Sequence, residues 1–205
     1  MPRIFSQYIH PQATMALWRI SESKEELMDL LQPETSQFLE NIHAEQKQLQ
    51  RIASRILVKQ LIGPSADIVY DEFRKPLLKE GNAHVSISHS SDVVAVMVST
   101  KQPVGIDVEL VAPKIERIKY KFMQEWEVDS IPPSRLLEQL YVYWCAKEAL
   151  YKRLQVPGIS FRNGIYVAPF ELHSQGTLSA KVKYTSQYEL TAYYELFDNY
   201  VFVYV

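Results

Sequence analysis

At 205 residues, with 47% hydrophobic and 22% charged residues, the chain carries enough apolar content to bury a full core as one domain or two small ones. Its net charge of −2 gives no global steering toward nucleic acid, and no apolar run approaches the roughly 20 residues that span a bilayer. Met1 to Ile20 lacks a basic region followed by an apolar block and cleavage site, and the single cysteine, Cys145, cannot form an internal disulfide, so a cytoplasmic protein is expected.

Trp18 to Ile20 reads as a short strand, and Ser23-Lys24-Glu25-Glu26 has the capping-box form that opens a helix to about Leu31. A longer helix is predicted from about Phe38 to Leu61, where Ile42, Leu49, Ile52, Ala53 and Ile56 recur at helical spacing before Gly63-Pro64 stops it. Arg51, Arg55 and Lys59 form a basic stripe on that helix; spacing alone allows either a solvated face or a phosphate contact. From Ile68 the period changes to two, predicting strands at Ile68 to Tyr70, Val85 to Ser88, Val93 to Ser99 and Val104 to Val111. Lys101-Gln102-Pro103 breaks the chain near its centre and marks a boundary between residues 1–103 and 104–205.

The second half repeats the element content of the first without a residue-level repeat. An apolar helix is predicted from about Arg135 to Leu154, ended by Pro157-Gly158, and strands follow at Gly164 to Phe170, Lys181 to Tyr184, Tyr188 to Phe197 and Tyr200 to Val205. The fold expected is therefore α+β, each half being a small sheet with a long helix.

Chemistry concentrates in three segments. In Val104-Gly105-Ile106-Asp107-Val108-Glu109 a strand presents Asp107 and Glu109 on one face, aimed at a point that suits a cation, while Ile106 and Val108 pack inward. Glu148 sits beside Lys147 and Lys152 on the apolar helix, and carboxylates with lysines at one place can hold Mg²⁺ and a pyrophosphate together. Phe73-Arg74-Lys75-Pro76 and His84-Val85-Ser86-Ile87-Ser88-His89-Ser90 add an ammonium, hydroxyls, an imidazole and turn amides suited to phosphate oxygens. Each piece has a bland alternative: a hydrogen-bonded turn for His89, a salt-bridged helix surface for Lys147, Glu148 and Lys152. Lys114, Arg117, Lys119 and Lys121 crowd one stretch, as a solvated face or as a surface for an anionic ligand or acidic partner. The sequence contains no Gly-rich phosphate loop, which argues against nucleoside triphosphate use.

In order and spacing, Lys-Pro, Ser-Ile-Ser-His-Ser, Gly-Ile-Asp-Val-Glu and Trp-Cys-Ala-Lys-Glu-Ala-Leu-Tyr-Lys resemble the 4′-phosphopantetheinyl transferase superfamily over at least Lys75 to Lys152, in its two-halved, surfactin-synthetase-activating type. The resemblance implies two pseudo-symmetric α/β halves with coenzyme A in the cleft between them, and a monomer. It further implies transfer of 4′-phosphopantetheine from coenzyme A to a serine of an apo acyl or peptidyl carrier protein, releasing 3′,5′-ADP. On this likeness Asp107, Glu109 and Glu148 would hold Mg²⁺. Lys152 would meet the pyrophosphate and assist the leaving group, and Lys147, Lys75, Ser88 and His89 would bind coenzyme A. Arg51, Arg55 and Lys59 are approximate counterparts of residues that bind its 3′-phosphate. Glu127, in preference to Glu125, would take the serine proton; Trp126 between them departs from the family pattern. Carriers of this kind are acidic, so the basic stretch, with Met123 and Trp126 as exposed apolar contacts, would be their docking surface. The competing readings are a coenzyme A-binding relative without catalysis and a different Mg²⁺-dependent phosphotransferase or hydrolase.

Overall fold

Val93–Ser99, buried along its whole length, is the strand around which the first half is built. The computed structural model describes residues 3–10, 13–32 and 36–205. Within them the chain divides into two compact units, Met1–Pro103 and Val104–Val205.

In the first unit the strands are β1 (Arg3–His10), β2 (Ala13–Arg19), β3 (Ile68–Tyr70), β4 (Pro76–Leu78), β5 (His84–Ser90) and β6 (Val93–Ser99). The main sheet is antiparallel, in the order β1-β2-β6-β5, with β3 and β4 forming a separate hairpin. Helix α1 (Lys24–Leu31) opens on Ser23, whose hydroxyl accepts the Glu26 amide while the Glu26 carboxylate accepts the Ser23 amide, so the predicted capping box is present. Ile52, Ala53, Ile56 and Leu57 of α2 (Glu45–Ile62) pack with Trp18, Val94 and Val96 of the sheet and with Leu27 and Leu31 of α1.

Helix α2 starts at Glu45 and not near Phe38, because Asn41 takes a left-handed backbone (φ 65°) that an α-helix cannot include. Gln37–Leu39 is a single 3₁₀ turn instead.

In the second unit β7 (Ile106–Leu110), α3 (Lys119–Phe122), α4 (Glu125–Asp129), α5 (Leu136–Leu154), α6 (Phe161–Gly164), β8 (Ile165–Val167), β9 (Gln175–Lys183), β10 (Gln187–Phe197) and β11 (Tyr200–Tyr204) form one antiparallel sheet, ordered β7-β11-β10-β9-β8, with helices beside it. Leu140, Cys145, Ala146, Ala149 and Leu150 of α5 pack with Leu178, Ala180, Ala192, Val201 and Val203 of the sheet. The strand expected over Gly164 to Phe170 is Ile165–Val167: α6, capped by Ser160, which accepts the Asn163 amide at 3.1 Å, takes Gly164, and Pro169, with no amide to give a ladder, lies beyond the other end. Mixed α+β architecture, a sheet with one long helix in each unit, is what the patterning predicts. Among the described residues no helix is long and apolar enough to cross a membrane.

Candidate active site

Strand β7 pairs with β11, Asp107 opposite Val203 and Glu109 opposite Val201. Ile106 and Val108 are fully buried, while the alternate residues Asp107 and Glu109 turn to the side of α5. The helix answers with Tyr141, Cys145, Glu148 and Lys152, which recur every three or four residues along one stripe. The Lys152 ammonium donates to Asp107 Oδ1 at 2.7 Å and to the Ile106 carbonyl at 3.0 Å.

Negative charge is in excess there. Burial, and then Asp107 and Glu109, push the Glu148 carboxyl up to about 7 against the opposing pull of Lys152. Burial and the same two carboxylates raise the Cys145 thiol well above its ordinary range, so Cys145 is a buried packing residue and no nucleophile. Burial followed by Glu109 also raises Tyr141.

Three hard carboxylate donors whose charge one lysine does not balance fit a divalent cation such as Mg²⁺. Among the described residues no three metal-binding side chains are gathered tightly enough to hold an ion as they stand. The Lys152 ammonium is the cation that Asp107 now meets.

Gly105 was not singled out in the sequence, yet it makes this arrangement possible. A Cβ at that position would lie 2.8 Å from the Ala149 carbonyl carbon and 3.0 Å from the Arg153 nitrogen. The backbone at the head of β7 therefore lies directly against α5, while paired Gly105 and Val205 hydrogen bonds of 2.9 Å each tie it to the end of β11. The signal was in plain view as the glycine two residues before Asp107.

Glu127 and Lys147 are placed differently from what the motif suggests. Both side chains are 0% exposed and lie 2.8 Å apart. Lys147 also donates to the carbonyls of Phe122 and Phe161, and Glu127 accepts the amides of Gln124 and Val167. Burial lowers the Lys147 ammonium to about 8, against the pull of Glu127. The ammonium and both carboxylate oxygens are thus engaged by groups of the second unit. Glu125 is open to solvent and lies 4.0 Å from the Arg162 guanidinium.

On the first unit the residues of the basic stripe each meet groups of that unit. Buried Arg55 donates to the Ile68 carbonyl at 3.1 Å, lies 3.5 Å from Asp67 and stacks over Phe38. Arg51 stacks over Tyr70 with its guanidinium 4.3 Å from the ring centre, and Lys59 donates to the Pro64 carbonyl at 2.9 Å.

Ser88 and His89, as neighbours on β5, point to opposite faces; Ser88 is buried and His89 exposed. The turn after them is pinned to α2 by Gln50, which donates to the Ser91 carbonyl at 2.7 Å. Lys75 closes a loop in which one Asp71 carboxylate oxygen accepts the amides of Phe73 and Lys75, both at 2.9 Å.

The basic stretch runs through a 3₁₀ turn, Pro113–Ile118, into α3. Lys114, Arg117 and Lys121 are exposed, while Lys119 is half-buried with its ammonium over the Tyr120 ring. Ile115, Phe122 and Met123 anchor the segment in the core, so Met123 is no surface contact. Trp126 is 46% exposed and stacks on Tyr166.

The pattern of the 4′-phosphopantetheinyl transferase superfamily matches residues 103–205, half of the chain. Over 108 residues the chain is 29% identical to the 4′-phosphopantetheinyl transferase AcpT of Escherichia coli (strain K12), a match covering 50% of this chain and 55% of that protein. Likeness to the AcpT of Salmonella typhi is 28% over 108 residues, covering 50% of this chain and 56% of that protein. The chain thus spans about half the length of these curated relatives. A longer match, 25% identical over 196 residues, joins 85% of this chain to 84% of the 4′-phosphopantetheinyl transferase Sfp of Bacillus subtilis (strain 168). Asp107, Glu109, Glu148 and Lys152 all lie in the segment that the superfamily pattern matches, and the chain belongs to the 4′-phosphopantetheinyl transferase superfamily.

Proposed function

We propose that the protein transfers 4′-phosphopantetheine from coenzyme A to a serine of an apo acyl or peptidyl carrier protein, with Mg²⁺, releasing 3′,5′-ADP, as a cytoplasmic monomer. The observation that carries this reading is the charge on β7 and α5. Three carboxylates share one neighbourhood with Lys152, and burial, then the charge of Asp107 and Glu109, holds Glu148 near 7 against the pull of Lys152. A divalent cation bound there would relieve that excess and supply positive charge toward a pyrophosphate.

Asp107, Glu109 and Glu148 are the residues that would hold Mg²⁺, which when bound supplies charge neutralisation on the pyrophosphate oxygens. Lys152 moves from Asp107 to the bridging oxygen as it departs, stabilising the charge that develops on the 3′,5′-ADP phosphate. His89, which is exposed, half-buried Lys75 and Ser88 would bind the phosphates of coenzyme A. The engagements of Arg55 and Lys59 within the first unit support a structural role for both. Lys114, Arg117 and Lys121 face solvent and suit an acidic carrier.

Coenzyme A labelled in its pantetheine arm tests the reading. Incubated with an apo acyl carrier protein and Mg²⁺, label passes into protein while 3′,5′-ADP appears in solution. Release of 3′,5′-ADP with all label in small molecules identifies a hydrolase instead.

A further inference from the structure

Lys147 of α5, next to Glu148, and Glu127 of α4 carry opposite charges fully withdrawn from water. Their bonds lead to separate pieces of the second unit. Lys147 Nζ holds Glu127 Oε2 at 2.8 Å, the Phe122 carbonyl at 2.8 Å at the end of α3, and the Phe161 carbonyl at 3.2 Å at the start of α6. Glu127 Oε2 accepts the Gln124 amide at 2.8 Å at the head of α4, and Oε1 accepts the Val167 amide at 3.0 Å in β8. All three ammonium hydrogens are used, and both carboxylate oxygens are engaged.

A buried ion pair gives little net stability compared with apolar residues of the same volume, so what it contributes is a fixed geometry. Successive helix residues point about 100° apart, so a clamp on Lys147 fixes the direction in which Glu148 leaves the helix. That direction is toward Asp107 and Glu109 on β7.

We infer that Lys147 and Glu127 are a positioning pair that sets the rotation of α5, so that Glu148 faces the β7 carboxylates, and that neither residue exchanges a proton with the carrier serine or touches coenzyme A. The inference rests on the metal role proposed for Glu148. It departs from the sequence expectation, which made Glu127 the base and Lys147 a coenzyme contact.

The test compares wild type, E127Q, K147M and the doubly neutral K147M/E127Q, reading Mn²⁺ affinity by electron paramagnetic resonance and transfer kinetics at temperatures below every thermal midpoint. Each single variant strands one buried charge and weakens both Mn²⁺ binding and kcat by about 10- to 100-fold, the range for loss of a group that orients a metal ligand. KM for coenzyme A stays near wild type. The double variant, with no buried charge left, recovers at least about tenfold of both losses.

A double variant that binds Mn²⁺ normally yet transfers nothing makes Glu127 the base and overturns the inference. Single variants with intact Mn²⁺ affinity and kcat also overturn it. Should the double variant fail to fold, the pH profile of E127Q decides. Positioning lowers the whole curve and keeps its shape, whereas loss of a base deletes the acid limb and overturns the inference. Wild-type protein that binds Mn²⁺ but transfers nothing defeats the transferase reading alone, and the Mn²⁺ affinities of the four proteins still decide the positioning role. Wild type that binds no Mn²⁺ overturns both.

Discussion

The backbone of Gly105 rests on the carbonyl of Ala149, so close that a methyl group at 105 would stand 2.8 Å from the carbonyl carbon. Both neighbours that would have to move, Ala149 and Arg153, offer backbone atoms of a helix that cannot yield locally. Gly105→Ala must therefore lift the start of β7 from α5. The cost expected is about 1–3 kcal/mol, the range for overpacking a tight contact. Urea unfolding of the variant measures this, and its kcat falls as well, because Asp107 moves away from Glu148 and Lys152.

Lys152 and Asp107 are paired at 2.7 Å with side chains 26% and 6% exposed, so removal of one partner leaves the other charge poorly solvated. Lys152→Met is expected to lower kcat about 10²-fold or more, since it removes the donor proposed for the departing phosphate. Lys152→Arg restores little, because a planar fork does not replace a compact ammonium between a carboxylate and the Ile106 carbonyl. Steady-state kinetics with coenzyme A and an apo carrier check both.

Divalent cations should stabilise the fold. Addition of Mg²⁺ or Mn²⁺ relieves the repulsion among Asp107, Glu109 and Glu148 and raises the thermal midpoint with the logarithm of metal concentration once that exceeds Kd. Glu148→Gln raises the midpoint of the metal-free protein and loses most of the response to metal. Chelation by EDTA abolishes transfer, and excess Mg²⁺ returns it. Differential scanning fluorimetry over a metal titration reads the first two effects.

His89 and Arg55 should separate function from folding on the first unit. Arg55→Ala removes a buried guanidinium that bridges the Ile68 carbonyl and Phe38, and it destabilises the protein by about 2–3 kcal/mol. Exposed His89→Ala changes stability by less than about 0.5 kcal/mol while raising KM for coenzyme A. Denaturation midpoints set beside coenzyme A kinetics distinguish the two.

Charge reversal at the exposed Arg117 and Lys121 is expected to raise KM for an acidic carrier about tenfold and flatten its salt dependence, leaving KM for coenzyme A unchanged. An unchanged carrier KM removes this surface from the docking site.

Period two over Ile106 to Glu109 is enough to place Asp107 and Glu109 on one side of a strand, and the helical repeat from Tyr141 to Lys152 is enough to place Glu148 near Lys152. Both rest on local backbone geometry that a sequence carries directly. The fate of Lys147 was not legible. A lysine beside a glutamate on a helix ordinarily marks a wet surface, and only tertiary packing by α4, α6 and β8 encloses this one. Arg55 misleads in the same way, since its four-residue spacing from Arg51 and Lys59 describes a stripe but not what covers it. The late start of α2 depends on one left-handed residue, Asn41, inside a segment whose apolar spacing continues without a break.

Intact-mass spectrometry of an apo acyl carrier protein, incubated with coenzyme A, Mg²⁺ and either wild-type protein or Asp107→Asn, tests the central claim most directly. Wild type is predicted to add the mass of one phosphopantetheine group, and Asp107→Asn, still folded, to add none in the same time. Equal modification by both contradicts the carboxylate site, and no modification by wild type, across several carriers with coenzyme A binding established by calorimetry, contradicts the transferase reading.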